Sequence, residues 1–321
     1  MTASPHIAWL FPGQGSQAVG MGQLLHERYA EARAVYAEAA DALGWDVARV
    51  SFQGPEAELN RTAVTQPALL TASVAAWRVL ARKPTTPSFV AGHSLGEYTA
   101  LVCSGAVPFA QAVTLVHQRG RYMQEAVPEG EGAMAAVLGL EPAAVAAACR
   151  DASTAGVVEP ANLNAPGQVV IAGARAAVER AGQLASAAGA KRIVPLPVSV
   201  PSHCSLMRDA ANRLERDLRS ATWSSPAIPV VTNVDATPLT STDAIVPALV
   251  RQLSSPLLWE DSIRFMLSQG VTTFVEIGPG RVLSGLTKKI DRSARTLQAD
   301  APESVEAVWA ALDTLTTEVA P

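Results

Sequence analysis

The sequence repeats one local pattern three times, and this repetition limits the folds that the chain can adopt. Short apolar runs at Ile7–Phe11, Phe89–Ala91 and Thr273–Ile277 predict buried strands. A glycine-containing turn follows each run, and apolar residues at helical spacing follow each turn. After the first turn this spacing continues from Leu24 to Leu43 without a break. Repeated units of this kind predict a parallel α/β sheet whose loops form a site at the carboxyl ends of the strands.

The pattern changes between Gly132 and Pro197. Hydrophobic spacing there predicts the order strand, helix, strand, strand, helix, strand. The predicted strands are Ala133–Gly139, Val157–Leu163, Gln168–Ala172 and Lys191–Leu196, and the predicted helices are Pro142–Cys149 and Arg175–Ala188. This βαββαβ order is the ferredoxin-like pattern. We therefore predict a small ferredoxin-like domain at residues 131–197, inserted into a large α/β domain formed by residues 1–130 and 198–321.

The composition excludes several classes of protein. The 321 residues include 25 Lys+Arg and 29 Asp+Glu, which gives a net charge of −4, and the charges form no basic stripe of the kind that nucleic-acid binders carry. The apolar runs are too short to span a membrane, and the amino terminus does not have the pattern of a secretory signal. Three scattered cysteines form neither a disulfide framework nor a zinc pattern. We expect a cytoplasmic protein without a metal.

A candidate nucleophile lies in the second turn. The segment Gly92-His-Ser94-Leu-Gly96 has the form G-x-S-x-G between a predicted strand and a predicted helix. A sharp turn here would project the Ser94 hydroxyl into a cleft, and the next backbone N–H, from Leu95, would help to hold an oxyanion. The alternative is a serine that only caps the following helix.

A serine nucleophile needs a base, and the chain has five histidines. They are His6, His26, His93, His117 and His203. We favour His203, because it follows the last predicted strand of the small domain and so returns to the cleft; a structural loop histidine is the alternative. No acid is a clear third member of a triad, since helical geometry turns Glu97 away from Ser94. A backbone carbonyl is therefore a possible partner for the imidazole.

Arg119 is the candidate for binding a negatively charged substrate. It lies on a predicted helix whose Leu115, Arg119 and Met123 share one face, so a charge stands on an otherwise apolar side. A guanidinium binds a carboxylate through two hydrogen bonds, which suits a substrate carboxylate. An internal salt bridge or an exposed helix position is the open alternative.

The first turn resembles a dinucleotide-binding fingerprint but lacks one part of it. The segment Gly13-Gln-Gly15-Ser-Gln-Ala18 matches the form G-x-G-x-x-A after a strand. The acid that binds ribose should end a second strand about 20 residues later, whereas Glu31, Glu38 and Asp41 all lie in the predicted helix. We expect this turn to present backbone N–H groups to the cleft, and a non-catalytic dinucleotide-binding module is an alternative function.

Eight motifs occur together in the order of one family. They are Phe11–Gln17, Thr65–Ala68, Gly92–Tyr98, Gln118–Gly120, Asn162–Asn164 with Gly167–Gly173, Val198–His203, Arg251–Leu253 and Glu276–Gly280. On these motifs nearly the whole chain resembles the malonyl-CoA:acyl carrier protein transacylase family of fatty acid synthesis. The resemblance implies an α/β-hydrolase-like core with a ferredoxin-like insertion. Related acyltransferase domains of modular polyketide synthases usually carry a tetrapeptide other than Val200-Pro-Ser-His203, which favours the discrete fatty acid enzyme.

The resemblance also implies roles for particular residues. It makes Ser94 the nucleophile, His203 the base and Arg119 the clamp for the malonyl carboxylate. It further implies that the backbone N–H groups of Gln14 and Leu95 form the oxyanion hole and that the carbonyl of Gln252 orients His203. Met123 and Asn162 are expected to line the pocket.

The implied reaction passes through a malonyl-serine intermediate. The malonyl group moves from malonyl-CoA to Ser94 and then to the phosphopantetheine thiol of holo acyl carrier protein, without a cofactor or metal. A serine hydrolase is the alternative enzyme. Basic residues that are candidates by position for docking the acidic carrier protein are Lys191, Arg192, Arg281, Lys288 and Lys289. We expect no nucleic-acid or membrane partner, and a monomer is the default.

Overall fold

The computed structural model describes residues 6–198, 200–239 and 241–317. Both ends of the predicted large domain lie outside the described residues, and so does Ser199, in the motif that ends at His203. In the described part the strands, in chain order, are β1 (Ile7–Phe11), β2 (Phe89–Gly92), β3 (Gly132–Leu138), β4 (Val158–Ala165), β5 (Gln168–Ala174), β6 (Arg192–Pro195), β7 (Val230–Val231), β8 (Pro238–Leu239), β9 (Thr273–Ile277) and β10 (Arg295–Ala299). The α-helices there are α1 (Gln23–Arg28), α2 (Ala30–Leu43), α3 (Val47–Gln53), α4 (Glu56–Leu59), α5 (Thr62–Leu80), α6 (Gly96–Cys103), α7 (Phe109–Ala126), α8 (Pro142–Ala152), α9 (Arg175–Ala187), α10 (Arg208–Ser220), α11 (Ile245–Ser254), α12 (Trp259–Ser268), α13 (Val282–Ile290) and α14 (Pro302–Thr317).

Six of the described strands form the larger sheet, in the spatial order β10, β9, β1, β2, β7, β8. Neighbours from β10 to β7 pair in parallel, and β8 pairs antiparallel with β7 at the edge. The central strand β1 is buried along its whole length, as expected for a parallel sheet covered by helices on both faces. The predicted parallel α/β sheet is therefore confirmed. Its three predicted strands lie side by side, so the turns that follow β9, β1 and β2 meet at one edge.

Four described strands form a second, antiparallel sheet in the order β4, β5, β3, β6. One face packs against α8 and α9 through apolar residues such as Val137, Ile171 and Val178. Residues of the other face, including Met134 and Val170, pack with Cys204, which directly follows His203 in the chain. The second sheet therefore supports the segment that carries the candidate base.

The predicted element order of this second region is found between residues 132 and 195. The ends shift by a few residues, and α8 runs to Ala152 rather than ending at Cys149. The buried residues Val145, Ala148, Cys149 and Ala152 continue one apolar face, so the longer helix buries one more turn.

The prediction of one continuous helix from Leu24 to Leu43 is wrong. Helix α1 ends before Tyr29 and helix α2 begins after it. The backbone of Tyr29 is extended, with φ −119° and ψ 131°. Leu25, Tyr29 and Ala32 are nevertheless all buried. Because the apolar spacing continues across the break, periodicity alone does not reveal a single extended residue.

Candidate active site

The turns after β1 and β2 touch each other through glycines. A Cβ atom on Gly13 would lie 2.3 Å from the carbonyl oxygen of His93, and one on Gly96 would lie 2.1 Å from the carbonyl oxygen of Phe11. Side chains at these positions would clash with backbone, so only glycine permits the approach. The approach brings Gln14, the residue after Gly13, beside the turn that carries Ser94.

Ser94 stands on a strained turn that a distant residue holds in place. Its φ of 53° lies in the left-handed region, which is uncommon for a residue other than glycine. Its backbone N–H donates to Oδ1 of Asn233 at 2.7 Å, and Nδ2 of Asn233 donates to the carbonyl of Gly92 at 2.7 Å. Asn233 is fully buried after β7. It therefore braces both sides of the Ser94 turn.

His203 lies between the serine and a backbone carbonyl. Its Nε2 is 2.8 Å from Oγ of Ser94, and its Nδ1 is 2.7 Å from the carbonyl oxygen of Gln252. A carbonyl only accepts, so Nδ1 carries the proton and Nε2 is free to take the serine proton. Like Ser94, His203 has a left-handed backbone, with φ 63°. The arrangement is a serine, a histidine and a carbonyl in line.

The environment keeps the imidazole of His203 neutral. Burial, followed by the nearby charge of Arg119, lowers the pKa of His203 to about 3, although its bond to the Gln252 carbonyl acts in the opposite direction. An imidazole with this pKa is unprotonated near neutral pH. It is therefore in the state that accepts a proton before the serine attacks.

The side chain of Arg119, on α7, lies beside Ser94 and Gln252. It is 1% exposed, its Nη1 donates to Oε1 of Gln66 at 2.9 Å, and its Nη2 donates to Oε1 of Gln252 at 3.0 Å. The same Nη2 is 3.1 Å from Oγ of Ser94. Its hydrogen-bond acceptors among the described residues are all neutral. The guanidinium is thus neither exposed nor bonded directly to a carboxylate, and it lies within reach of an acid attached to the serine.

The two predicted pocket-lining residues come from different elements, α7 and β4. Met123, one helical turn after Arg119, is buried, and its Sδ accepts from Nε2 of Gln66 at 3.2 Å. Asn162 is on β4, and among the described residues its buried Oδ1 has no hydrogen-bond partner. Asn164, two residues on, bonds through Oδ1 to Nε2 of His93 at 2.9 Å. A residue of the second sheet therefore contacts the turn that carries Ser94.

The oxyanion hole is predicted to consist of two backbone N–H groups. Within the described ranges, the backbone N–H groups of Gln14 and Leu95 make no hydrogen bond. Leu95 immediately precedes α6, whose N-terminus favours negative charge nearby. The side chain of Gln14 is held by a bond from its Nε2 to Oγ1 of Thr62 at 3.3 Å. Two N–H groups without acceptors on adjoining turns are available to donate hydrogen bonds to an anion.

Sequence reasoning missed the roles of three residues in this network. Gln66 holds Arg119, Asn233 holds Ser94, and Glu97 accepts from Nε2 of Gln252 at 2.8 Å and from the backbone N–H of Asn233 at 3.1 Å. Among the described residues Glu97 makes no hydrogen bond to the serine hydroxyl. Gln66 lies in a motif quoted above, whereas Asn233 follows a two-residue strand too short to predict.

The structure also bears on a dinucleotide site, a metal site and a membrane-spanning helix. Glu31, Glu38 and Asp41 all lie in α2 rather than at the end of a second strand, so the first turn has no acid where a dinucleotide site needs one. Within the described residues, no group of three or more His, Cys, Asp or Glu is placed to hold a metal. No helix in the described part of the chain is both long and apolar enough to cross a membrane.

Known proteins are similar to this chain over most of its length. Residues 8–308 match the family described as acyl transferase domain. A malonyl CoA-acyl carrier protein transacylase of Escherichia coli (strain K12) is 54% identical over 308 residues, covering 96% of this chain and 99% of that protein. The Bacillus subtilis (strain 168) protein of the same description is 46% identical over 301 residues, covering 94% and 95%.

Solved structures agree with these relatives. The structure of a malonyl CoA-acyl carrier protein transacylase from Coxiella burnetii superposes with a TM-score of 0.95 at 43% identity, covering 98% of this chain and 99% of that one. A malonyl-transacylase solved in complex with a type II polyketide synthase acyl carrier protein superposes with a TM-score of 0.92 at 50% identity, covering 94% and 98%.

Proposed function

The chain belongs to the malonyl CoA-acyl carrier protein transacylase family, within the acyl transferase domain family, and on this premise we propose how its cleft performs that family's reaction. The chain transfers a malonyl group from malonyl-CoA to acyl carrier protein for fatty acid synthesis. The observation that carries the mechanism is the line of Ser94, His203 and the Gln252 carbonyl, with contacts of 2.8 and 2.7 Å.

In the first half-reaction Ser94 attacks the thioester carbonyl of malonyl-CoA. His203 takes the serine proton at Nε2 as the C–O bond forms, and the N–H groups of Gln14 and Leu95 hold the oxyanion. The tetrahedral intermediate then collapses, the C–S bond breaks, and His203 returns the proton to the CoA thiolate. The product is a malonyl ester of Ser94.

Arg119 selects the acyl group in this proposal. Its Nη2 lies 3.1 Å from Oγ of Ser94, so a carboxylate on an acyl chain bound at the serine is within its reach. Gln66 and Gln252 hold the guanidinium by neutral oxygens, which leaves its positive charge for the substrate. Met123 and Asn162 line the pocket beside it.

In the second half-reaction the phosphopantetheine thiol of the carrier protein enters the same cleft. His203 deprotonates the thiol, which attacks the malonyl ester, and the departing Ser94 oxygen takes the proton back. No step requires a cofactor or a metal. Lys191, Arg192, Arg281, Lys288 and Lys289 are all exposed, and we propose them as the docking surface for the acidic carrier protein.

We also propose the finer description of the fold. The order β4, β5, β3, β6 and the two helices on one face support a ferredoxin-like domain at residues 131–197. The parallel sheet with Ser94 on a sharp turn after β2 supports an α/β-hydrolase-like core in the flanking segments 1–130 and 198–321. The three free, buried cysteines support our expectation of a reducing, cytoplasmic location.

One experiment separates this function from the two alternatives. The protein is incubated with labelled malonyl-CoA, the adduct is located by mass spectrometry, and holo acyl carrier protein is then added. A label on Ser94 that moves to the carrier supports the transacylase. Release mainly as free malonate would indicate a hydrolase, and the absence of any adduct would indicate a binding module. Because the base His203 and the cation Arg119 beside Ser94 are buried, we expect hydrolysis without carrier to be slow.

A further inference from the structure

Glu97 is a buried charged residue that this mechanism does not use. It is 0% exposed, and its Oε2 accepts from Nε2 of Gln252 at 2.8 Å and from the backbone N–H of Asn233 at 3.1 Å. Its Oε1 is also buried and has no hydrogen-bond partner within the described residues. A carboxylate placed in the interior at this cost needs a compensating charge nearby.

Gln252 connects this carboxylate to Arg119. While Nε2 of its amide donates to Glu97, Oε1 accepts from Nη2 of Arg119 at 3.0 Å. The same Nε2 also donates to the carbonyl oxygen of Ser94 at 2.9 Å, which fixes the direction of the amide. One neutral side chain therefore separates a buried anion from a buried cation.

The other neighbours of Arg119 carry no charge. Its hydrogen bonds go to Gln66, Gln252 and Ser94, which are neutral. Tyr98 lies under the guanidinium, 5.7 Å from ring centre to Cζ, and burial raises the pKa of its phenol, so it stays protonated. Burial lowers the pKa of Arg119, and the Tyr98 phenol and then the charge of Glu97 oppose that shift. Glu97 thus provides the compensating negative charge.

We propose that Glu97 is the counter-charge of Arg119 in the empty cleft and that it limits how tightly the malonyl carboxylate is held. This inference rests on the proposed role of Arg119 as the clamp. A malonyl carboxylate that reaches Arg119 is a second anion beside one cation. Its repulsion by Glu97 weakens malonyl binding, so that the malonyl group leaves readily for the carrier thiol. Glu97 touches no reacting atom and is a positioning residue.

The same repulsion makes malonyl binding depend on pH. Burial raises the pKa of Glu97 to about 7, although the bonds from Gln252 and Asn233 and the charge of Arg119 oppose this. When the malonyl carboxylate arrives, Glu97 takes up one proton from solvent and the repulsion ends.

The other titratable groups that face Glu97 do not change charge in this range. Besides Arg119 on α7 and Tyr98 on its own helix, they are Asp235 in the turn after β7 and Arg251 on α11. Asp235 and Arg251 form an ion pair at 2.7 Å, which lowers the pKa of Asp235 and raises that of Arg251. Both therefore stay charged near neutral pH, and Glu97 is the member of this set that changes charge.

Glu97→Gln tests the proposal, because the amide oxygen can keep both acceptor bonds while the charge is removed. At pH 8 we expect the half-saturating concentration of malonyl-CoA to fall by about tenfold. We also expect the malonyl-enzyme to transfer its acyl group to carrier more slowly. In the native protein the half-saturating concentration should fall between pH 8 and pH 6 as Glu97 is protonated, and in Glu97→Gln it should not change over this range.

Two controls isolate the charge pair. With acetyl-CoA, which has no carboxylate for Glu97 to repel, Glu97→Gln should not lower the half-saturating concentration. The matched variant is Glu276→Gln, a second buried glutamate whose partners are the backbone N–H groups of Leu283 and Ser284. It should keep the pH dependence of the native protein.

An unchanged or higher half-saturating concentration in folded Glu97→Gln at pH 8 would overturn the proposal. A native protein whose malonyl-CoA saturation does not change between pH 6 and pH 8 would do the same, and this arm needs no variant to fold. The proposed clamp is tested separately: if Arg119→Ala still transfers malonyl groups at the native rate, the clamp itself is wrong. If Arg119→Ala is inactive towards malonyl-CoA and Glu97→Gln is unaltered, only the counter-charge fails.

Discussion

The turns that follow β2 and β9 are built alike, yet only the first carries the site. Each joins a buried parallel strand to a helix through glycines, and each has a buried glutamate beside it. Glu276, at the end of β9, accepts the backbone N–H groups of Leu283 and Ser284 at 3.0 and 2.8 Å and so stabilises the start of α13. Glu97, in α6, instead bonds to Gln252 and Asn233, which come from later parts of the chain.

The two turns differ in the side chains that contact them. Gly278, in the β9 turn, packs against the side chain of Ser73, which leaves no room for a Cβ. Ser94, in the β2 turn, meets His203, Arg119 and Asn233 from three separate segments. A strand, turn and helix unit therefore becomes an active site only where other segments bring a base and a cation to it.

Removing the nucleophile should separate the two turns most clearly. We expect Ser94→Ala to lower malonyl transfer by roughly 10⁴-fold or more, because no ester can form. Gly278→Ala should instead lower the free energy of unfolding by about 1–3 kcal/mol, because its φ of 123° and the nearby Ser73 oppose a side chain. Its labelled acyl-enzyme should still form. Loss of the adduct in folded Gly278→Ala would show that both turns act in the chemistry.

Removing the cation should change which acyl group is used. Arg119→Ala leaves the malonyl carboxylate without a partner in a buried site, a loss of about 3 kcal/mol, or roughly 10²-fold in malonyl transfer. Transfer of an acetyl group, which has no carboxylate, should be kept or increased. The measurement is kcat/KM for malonyl-CoA and acetyl-CoA side by side. Equal losses for both acyl groups would place the clamp elsewhere.

Removing the brace of the Ser94 turn should have a smaller effect. Asn233→Ala deletes the acceptor for the Ser94 N–H and the donor to the Gly92 carbonyl, and we expect the acylation rate to fall about tenfold. Stability should fall by about 1–3 kcal/mol, because a buried N–H loses its partner. The half-saturating concentration of malonyl-CoA should hardly change. A stability loss with an unchanged acylation rate would limit Asn233 to a structural role.

The smallest effect is expected from the unit that follows β9. Neutralising its exposed helix end with Lys288→Gln and Lys289→Gln should raise the apparent KM for carrier protein by about three- to tenfold and leave that for malonyl-CoA unchanged. The matched control is Lys83→Gln, at an exposed lysine in the segment before β2. Equal effects of the control and the double variant would argue against a docking patch at Lys288 and Lys289.

Local patterns predicted the parts of the fold that are encoded locally. The strands Ile7–Phe11 and Thr273–Ile277 have the predicted bounds, because short apolar runs between glycine turns fit few other structures. The break at Tyr29 and the two-residue strand β7 were not predictable, since neither interrupts the spacing of apolar residues.

The residues of the site also divide into those that local sequence predicts and those that it does not. Ser94 follows from the form of its turn, and His203 was favoured among five histidines by its position in the chain. The part played by Gln252 depended on a family resemblance. The bonds of Gln66, Asn233 and Glu97 depend on which distant segments meet, and a single sequence does not contain that information in any local pattern. What local sequence leaves out is the pairing of distant segments.

The wide spacing of the site along the chain has a consequence for folding. Ser94 bonds to residues 109 and 139 positions away, and His203 bonds to a carbonyl 49 positions further on. A chain in which His203 has not reached Ser94 has a serine hydroxyl with no base. Such a chain reacts only slowly with thioesters, so an immature or partly unfolded protein consumes little malonyl-CoA. The appearance of acyl-enzyme during refolding therefore reports the arrival of the segment that carries His203.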